Sequence, residues 1–289
     1  MKPIVYHTQT ITPASLIEAY ERLGCPATGK VAVKISTGEP GPRGGNWLDP
    51  NLIKDFVQLV GGTLVESNTG YEGHRYHTEE HRQVAADHGF TAIADVDILD
   101  ADGTMDLPTH PGGHLDRDIV GSHLANYDFL ILLSHFKGHA VGGFGGAIKN
   151  ASIGVASSGG KLYIHSAGAT TEAWEGEGST QDAFLESMAE AAQAVSDHFA
   201  GHILSINVAN KISVDCDCDG NAAPPSMADL GILSSLDPVA LDKATTDLVW
   251  AAPDSADVIE RIESRNGRHT LDYAEKIGLG SQEYELVTF

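Results

Sequence analysis

The apolar run Phe129-Leu130-Ile131-Leu132-Leu133 is followed at once by Ser134-His135-Phe136-Lys137-Gly138-His139-Ala140-Val141-Gly142-Gly143-Phe144-Gly145-Gly146-Ala147-Ile148-Lys149-Asn150. An uninterrupted apolar run is typical of a strand whose two faces are both buried, as in a parallel sheet. The next segment, residues 134–150, is instead rich in histidine, lysine and glycine. Because ligands of open α/β sheets bind outside the carboxyl ends of the strands, we expect the working surface of the protein in this segment.

Strand and helix patterns alternate outward from this run. Strand-like stretches at residues 30–35 and 63–67 enclose a helical pattern at residues 49–60, and this order predicts βαβ units. Further along, a helical pattern at residues 181–199 precedes a strand-like stretch at residues 203–208. We therefore predict an α/β fold in which a mostly parallel sheet is flanked by helices on both faces.

The chain is expected to form two lobes with the site between them, and a single domain is the alternative. Glu, Gly, Ser and Thr cluster near residues 171–180, which gives an N-terminal lobe at residues 1–170 and a C-terminal lobe at residues 180–289. Residues 138–168 contain too much glycine for regular structure throughout, so we expect a long irregular stretch there.

The composition excludes several classes of partner. The 289 residues include 40 acidic and 18 basic ones, which gives a net charge of −22. Nucleic acids and anionic membranes attract clustered lysine and arginine, so neither is expected as a partner. No run approaches the roughly 20 apolar residues of a membrane span, and the first residues lack the apolar core of a signal peptide. We therefore expect a cytoplasmic protein with an acidic, solvated surface.

The basic residues of the 134–150 segment are the first functional candidates. His135, Lys137 and His139 alternate, so an extended backbone would place their side chains on one side. Histidine can act as acid, base or metal ligand, and a lysine in a pocket that excludes water can act as a nucleophile or tether. Glycines such as Gly145 and Gly146 let the backbone approach a ligand closely. The alternative is a flexible loop with incidental basic residues.

A pair of cysteines is the second candidate. Cys216 and Cys218 are one residue apart, which is not the usual CxxC spacing of a zinc site. Two such thiolates could still share a metal ion in an extended segment, with Asp215, Asp219 or Asp229 nearby. A redox pair and two buried thiols are the alternatives. No CxxCxxC run is present, so an iron–sulfur cluster is not expected.

Several motifs resemble those of the family called domain of unknown function 362. The matching motifs are His135-Phe136-Lys137-Gly138-His139, Gly143-Phe144-Gly145-Gly146-Ala147-Ile148-Lys149-Asn150, Gly160-Lys161 with His165, Cys216-Asp217-Cys218, and Asp237-Pro238-Val239-Ala240-Leu241-Asp242-Lys243-Ala244. Many members are described as iron–sulfur-centre-related because a ferredoxin-like module follows the histidine corresponding to His165. Residues 169–180 contain no cysteine, so the resemblance implies no cluster in this chain.

A second resemblance concerns the spacing of His139, Lys149 and His165, which is similar to that of the nickel-pincer lactate racemase family. It implies an acid/base role for His139, a cofactor tether at Lys149 and metal ligation by His165. Gly73-His74-Arg75 is similar to the second acid/base motif of that family, which makes His74 a candidate. The Asp-x-Thr-Arg signature of that family is absent.

Together these features predict a metal- or cofactor-dependent enzyme that acts on a small anionic substrate. The candidate residues are, for catalysis, His139, Lys149, His135, Lys137 and His74; for cofactor binding, Lys149, Gly145 and Gly146; and for a nickel, iron or zinc ion, His165, Cys216 and Cys218. The alternative is a non-catalytic protein that handles a metal or cofactor, such as an assembly factor for redox centres. Asp242 is expected to support the site from a helix, and a homo-oligomer is a further expectation.

Overall fold

The structure, a computed structural model, describes residues 2–42, 46–172 and 179–289. The strands are β1 (Ile4–Thr8), β2 (Val31–Lys34), β3 (Gly62–Glu66), β4 (Val96–Ile98), β5 (Thr104–Pro108), β6 (Arg117–Gly121), β7 (Phe129–His135), β8 (Lys137–His139), β9 (Gly143–Gly145), β10 (Ile203–Ala209), β11 (Gly231–Ser235) and β12 (Glu285–Thr288). The helices are α1 (Pro13–Glu21), α2 (Pro50–Leu59), α3 (Thr78–Asp87), α4 (Ala147–Ala151), α5 (Ser158–His165), α6 (Gln181–Phe199), α7 (Pro238–Ala251), α8 (Ala256–Ser264) and α9 (His269–Ile277).

The main sheet has the strand order β12-β1-β11-β10-β7-β2-β3-β4. β11 runs antiparallel to β1 and β10, and the other neighbouring strands that the structure describes are parallel. The predicted α/β fold with a mostly parallel sheet is therefore confirmed. Strands from both predicted lobes belong to this sheet. The predicted boundary falls partly on residues 173–178, outside the described residues, so the division into lobes stays a prediction.

The apolar run forms β7, which is buried along its whole length at the centre of the sheet. Its apolar odd-numbered residues pack in one cluster with Leu16 of α1 and Phe56 of α2. Its apolar even-numbered residues pack on the opposite face with Ala192 and Val195 of α6. Each such burial contributes about 1.5–3 kcal/mol, and helices cover both faces as predicted.

Residues 138–168 are more regular than expected. β8 and β9 form a hairpin in which His139 lies opposite Gly143, and α4 and α5 follow. The Ser157 side chain caps α5 by accepting a hydrogen bond from the Gly160 N–H (3.1 Å). The expected long irregular stretch is therefore wrong, because the hairpin accommodates several of the glycines and the Ser157 cap stabilises α5, which contains Gly159 and Gly160.

Four neighbouring parallel strands position the site. β3, β2, β7 and β10 lie side by side in this order and point the same way, so their carboxyl ends meet at one edge of the sheet. The segments that leave these ends therefore converge. Among the described residues, no helix is long and apolar enough to cross a membrane.

Candidate active site

A cavity of about 260 Å³ opens at the carboxyl ends of β2, β3, β7 and β10. Lys34 and Glu66 are the last residues of β2 and β3, and both line it. His135, the last residue of β7, and Cys216, in the segment after β10, line it as well. The pocket thus lies where ligands bind in open α/β sheets.

The pocket wall is rich in cations although the chain is strongly acidic. The cationic lining residues are Lys34, Arg75, Lys137, Lys149 and Lys161. Among the lining residues that the structure describes, Glu66 is the one acidic residue. A site that gathers this share of the 18 lysines and arginines creates a local positive potential, which favours an anionic ligand.

Glu66 neutralises part of this charge. Its carboxylate lies 3.5 Å from Lys34 Nζ and 3.5 Å from Arg75 Nη1. Burial by itself would raise the pKa of Glu66, but the charge of Lys34 and of other nearby cations lowers it to about 2. Arg75 Nε also donates to Glu39 Oε2 (2.9 Å). Lys34 and Arg75 therefore already have carboxylate partners.

Asp217, the residue between the two cysteines, holds His135 and Lys137. Its carboxylate accepts hydrogen bonds from His135 Nδ1 (2.8 Å) and Lys137 Nζ (2.9 Å). His135 Nε2 lies 2.6 Å from the Asn210 carbonyl oxygen. Both ring nitrogens thus face acceptors, which only the doubly protonated ring satisfies fully. Burial would raise the pKa of Asp217, but the His135 and Lys137 charges hold it well below its usual range.

Lys137 is held in its charged form. Burial would lower its pKa, but the charge of Asp217 and of the nearby thiols raises it above the ordinary value. His135 and Lys137 therefore bind Asp217 from the same side of the chain, and His139 lies beside Cys216 and Cys218. All three of these residues line the pocket.

His139 is a neutral imidazole whose free proton lies on Nε2. Its Nδ1 accepts hydrogen bonds from the backbone N–H groups of Gly142 (2.8 Å) and Val141 (3.2 Å). Burial, together with the charge of Lys149 and other cations, holds its pKa well below the ordinary value. A neutral ring that accepts at Nδ1 carries its hydrogen on Nε2, so His139 can donate a hydrogen bond from Nε2.

His165 lines the same pocket with the opposite tautomer. Its Nδ1 lies 2.7 Å from the Lys161 carbonyl oxygen and must donate to it. Burial lowers the pKa of His165 to about 4, so the ring is neutral and Nε2 is its acceptor nitrogen. A metal-ligating histidine normally has this arrangement, with the other ring N–H donating to a backbone oxygen.

Cys216 and Cys218 are hydrogen-bonded to each other. The hydrogen bond from Cys218, with the charges of Lys149 and Lys137, lowers the pKa of Cys216 despite its burial. The same hydrogen bond and burial raise the pKa of Cys218 well above its usual value.

The structure brings together three residues that could hold a metal ion. The ligand atoms of His139, Cys216 and Cys218 lie within 4.8 Å of one another, and two sulfurs with a nitrogen suit zinc, nickel or iron. The tautomer of His139 opposes ligation through Nε2, whereas His165 has the suitable tautomer but lies outside this group. The short distance to the two sulfurs thus favours His139 as the nitrogen ligand. The hydrogen bond that fixes the tautomer of His165 favours His165 instead.

Lys149 is positioned by the start of α4. Asp242, which is fully buried, accepts hydrogen bonds from the first N–H groups of α4, those of Ala147 (2.8 Å) and Ile148 (2.9 Å). Asn207 Nδ2 donates to the same carboxylate (2.8 Å). Asp242 thus supports the site, and α4 presents Lys149 to the pocket.

The Lys149 ammonium makes no hydrogen bond and no ion pair with any residue that the structure describes. Its charge nevertheless acts on His139, His165 and Cys216, whose pKa values it lowers. Gly145 keeps open the space beside it, since a Cβ there would touch Lys149 Cδ at 3.5 Å. The Lys149 ammonium is therefore placed to bind an anionic ligand in the pocket.

The predicted residues fall into two groups. The pocket is lined by His135, Lys137, His139, Gly145, Gly146, Lys149, His165, Cys216 and Cys218. His74 is not among the described lining residues: its side chain is 70% exposed and its ring contacts Glu39 (3.1 Å). The aspartates suggested as extra ligands serve elsewhere, since Asp215 pairs with Arg261 and Asp229 accepts from the Lys211 N–H.

Four charged lining residues were missed as candidates: Lys34, Glu66, Arg75 and Lys161. Lys34 and Glu66 each directly follow apolar residues near the end of a strand-like stretch, which is the signal that could have found them. Arg75 directly follows the candidate catalytic residue His74. Lys161 belongs to a motif quoted above, but its position within a glycine-rich segment gave no indication of burial.

The fold and this site define an α/β protein with a cation-lined pocket at the carboxyl edge of a mostly parallel sheet. The chain belongs to the family described as Domain of unknown function (DUF362), which matches residues 31–247. That range contains every cation of the pocket wall, both pocket cysteines and Asp242. The family predicted from the motifs is thereby confirmed. None of the curated proteins matches the chain.

Two solved structures are similar to this one. The lactate racemase apoprotein from Thermoanaerobacterium thermosaccharolyticum superposes with a TM-score of 0.51 at 14% identity, over 85% of this chain and 56% of that chain. A structural-genomics protein from Thermotoga maritima has a TM-score of 0.47 at 10% identity, over 93% and 60% of the two chains. The chain thus spans little more than half the length of the racemase, and the likeness shows a shared fold.

Proposed function

We propose that the protein is a cofactor- or metal-dependent enzyme that binds a small anionic substrate, such as a carboxylate, in this pocket. The observation that carries the proposal is the Lys149 ammonium, which has no partner among the described residues and lies in a wall of cations, in a chain of net charge −22. A small anion would supply the missing partner, because a charge-assisted hydrogen bond is stronger in a site that excludes water.

His139 supplies a hydrogen-bond donor to the bound anion. It lies near Lys149, is neutral, and carries its hydrogen on Nε2, so it can donate to an anion that Lys149 holds. Backbone N–H groups fix the ring by donating to Nδ1, and they also disfavour protonation at that atom. The lactate racemase that shares the fold is named for a small carboxylate, which agrees with this substrate class.

The predicted metal ion fits part of this site. Cys216 and Cys218 offer sulfur ligands, and His139 or His165 offers nitrogen. Nickel, iron or zinc would supply a Lewis acid next to the bound anion. A covalent cofactor tethered at Lys149 is the other form that the proposal takes, and intact-mass measurement of protein from its native host would detect it.

Anion binding tests the proposal directly. Acetate, lactate and oxalate are titrated calorimetrically into the wild type, into Lys149→Gln and into Lys54→Gln, which removes an exposed lysine on α2. A hydrogen bond to a charged group contributes about 1.5–3 kcal/mol, so Lys149→Gln should weaken binding roughly 10- to 100-fold. Lys54→Gln should bind as the wild type does. Equal affinity in Lys149→Gln, or no binding of any of the three anions to the wild type, would overturn the proposal.

A non-catalytic role in metal handling is the second candidate function. The closeness of the His139, Cys216 and Cys218 ligand atoms favours it. Elemental analysis should then find stoichiometric metal in the wild type and in Cys25→Ser, which removes the cysteine far from the pocket. The Cys216→Ser/Cys218→Ser double variant should lose that metal. Unchanged metal content in the double variant excludes these sulfurs as ligands.

A further inference from the structure

Two thiols lie in the pocket wall, and neither anion binding nor proton transfer uses them. Cys216 and Cys218 occupy a tight turn, in which the Asp219 N–H donates to the Cys216 carbonyl oxygen (3.0 Å). The Cys218 N–H points at Cys216 Sγ (3.4 Å). The two sulfurs lie within 4.8 Å of each other, and both line the pocket.

We propose that Cys216 and Cys218 form a reversible dithiol–disulfide couple that opens onto the pocket and exchanges with small-molecule disulfides. This activity is separate from anion binding and does not depend on it. It requires a backbone that lets the two sulfurs bond and access for the reaction partner, which the pocket provides because both cysteines line it.

The backbone geometry suits a bond between the two sulfurs. A disulfide needs Cα atoms about 4.4–6.8 Å apart. A β-turn brings its first and fourth Cα atoms within about 7 Å, and a chain that folds back so sharply keeps its first and third residues within reach as well. The side chain of Asp217 points away to His135 and Lys137, which fix the turn from the opposite side.

The hydrogen bonding distinguishes the two sulfurs. The Cys218 N–H donates to Cys216 Sγ (3.4 Å), and Lys137 and Lys149 line the same pocket. Reactive cysteines lie in electropositive surroundings, and a thiolate is the attacking form in disulfide exchange. Cys216, whose sulfur accepts this hydrogen bond, is therefore the attacking residue, and Cys218 is the resolving residue.

The reaction balances without a further reagent. The Cys216 thiolate attacks one sulfur of a disulfide RSSR, forms a mixed disulfide and releases RS⁻. Cys218 gives its proton to this RS⁻, and its sulfur then attacks Cys216 Sγ and releases a second RS⁻. The cysteines lose two electrons and RSSR gains two, so the products are the protein disulfide, RSH and RS⁻.

Metal binding and disulfide formation compete for the same sulfurs. The ring closed by the bond spans a single intervening residue, and strained or exposed disulfides are the readily reduced ones. The couple should therefore be reduced by reduced glutathione and oxidised by oxidised glutathione, once metal has been removed by a chelator. This condition is built into the experiment.

The test is a redox titration of the full chain. Chelator-treated protein is equilibrated in mixtures of reduced and oxidised glutathione, quenched in acid, unfolded and alkylated, and its mass is measured. The reduced protein should take up three alkyl groups, one for each cysteine. The oxidised monomer should take up only the group at Cys25 and be lighter by two hydrogens before alkylation. Cys25→Ser should titrate at the same midpoint.

A second measurement does not depend on forming the protein disulfide. Hydroxyethyl disulfide is added to Cys218→Ser, and a stable mixed disulfide should accumulate at Cys216 because the resolving thiol is absent. Cys216→Ser should react more slowly. Three alkyl groups at every glutathione ratio, disulfides that link two chains only, or equal reactivity of the two variants would overturn the proposal.

Discussion

His139 and His165 are both neutral imidazoles in one pocket, yet their backbone partners give them opposite capacities. The Gly142 N–H donates to His139 Nδ1, so His139 offers a hydrogen on Nε2. His165 donates from Nδ1 to the Lys161 carbonyl oxygen, so its Nε2 is an acceptor. At Nε2, one ring is therefore a hydrogen-bond donor and the other an acceptor. Backbone groups, rather than charged neighbours, set this difference.

Asp217 carries the first prediction at this scale. It is buried between His135 and Lys137, and removing one partner from a buried ion pair costs about 3–5 kcal/mol. Asp217→Asn keeps the shape but removes the charge, so its free energy of unfolding should fall by about this amount in urea titrations. Asp219→Asn, at an exposed aspartate two residues away, is the matched control. Equal stability of Asp217→Asn and the wild type would contradict the described ion pairs.

Only some of the side-chain contacts in the pocket could be predicted from the sequence. The alternation of His135, Lys137 and His139 was visible in the sequence, because side-chain direction follows from local backbone geometry. Asp217, the partner of His135 and Lys137, lies about 80 residues further along the chain. Its role depends on the parallel pairing of β7 with β10, which brings the segment after β10 to the end of β7. No local pattern reports such a contact.

At the scale of secondary structure, α4 shows how a distant residue can define an element. Its five residues make too few internal hydrogen bonds to stabilise it alone. Asp242 of α7 binds its first N–H groups, and burial raises the pKa of this carboxyl to about 6. By contrast α6 was predicted at its observed limits, because its nineteen residues show a continuous apolar face. Long periodic elements are readable from sequence, and short capped ones are not.

The neighbouring glycines before α4 carry the second prediction. A Cβ on Gly146 would overlap the Asp242 carboxylate, whereas a Cβ on Gly145 would make an ordinary contact with Lys149 Cδ at 3.5 Å. Gly146→Ala should therefore displace Asp242 and destabilise the protein by about 1–3 kcal/mol. Gly145→Ala should keep its stability but bind oxalate more weakly, because the new methyl group narrows the space beside Lys149. Urea unfolding and calorimetry separate the two effects; the reverse pattern would contradict this assignment.

His81, which ties α3 to the sheet, carries the third prediction. Its Nε2 contacts Thr37 Oγ1 (2.9 Å), and its Nδ1 contacts Asn68 Oδ1 (3.2 Å). Burial lowers its pKa to about 3, whereas the unfolded chain takes up the proton near pH 6.5. The unfolded state therefore binds more protons between these values, and stability falls as the pH falls.

The expected loss is close to 1.4 kcal/mol for each pH unit below about 6.5. His81→Gln should be less stable at pH 7, but the gap between variant and wild type should narrow by about 2 kcal/mol between pH 6.5 and pH 4.5. Urea unfolding at several pH values measures this gap. His77→Gln, at the exposed residue before α3, controls for the removal of a histidine. A gap independent of pH would show that His81 is not buried neutral.

For the whole molecule, the main feature is the opposition between surface and pocket. The chain carries a net charge of −22, while its pocket wall collects cations. A large net charge of one sign destabilises a compact chain by self-repulsion, and salt screens that repulsion. The screening length falls from about 30 Å at 0.01 M to about 3 Å at 1 M salt. The acidic surface therefore responds to the ionic strength of a salt, whereas the pocket responds to the identity of its anion.

This separation gives the last prediction. Raising NaCl from about 0.01 M to about 1 M should raise the thermal midpoint of the wild type and of Lys149→Gln alike, since both keep the acidic surface. Replacing part of the NaCl by sodium oxalate at constant ionic strength should raise the midpoint further in the wild type only. Oxalate at 100 times its dissociation constant adds about 2.7 kcal/mol to the stability of a protein that binds it when folded. Equal oxalate responses in the two proteins would mean that the anion acts on the surface rather than at Lys149.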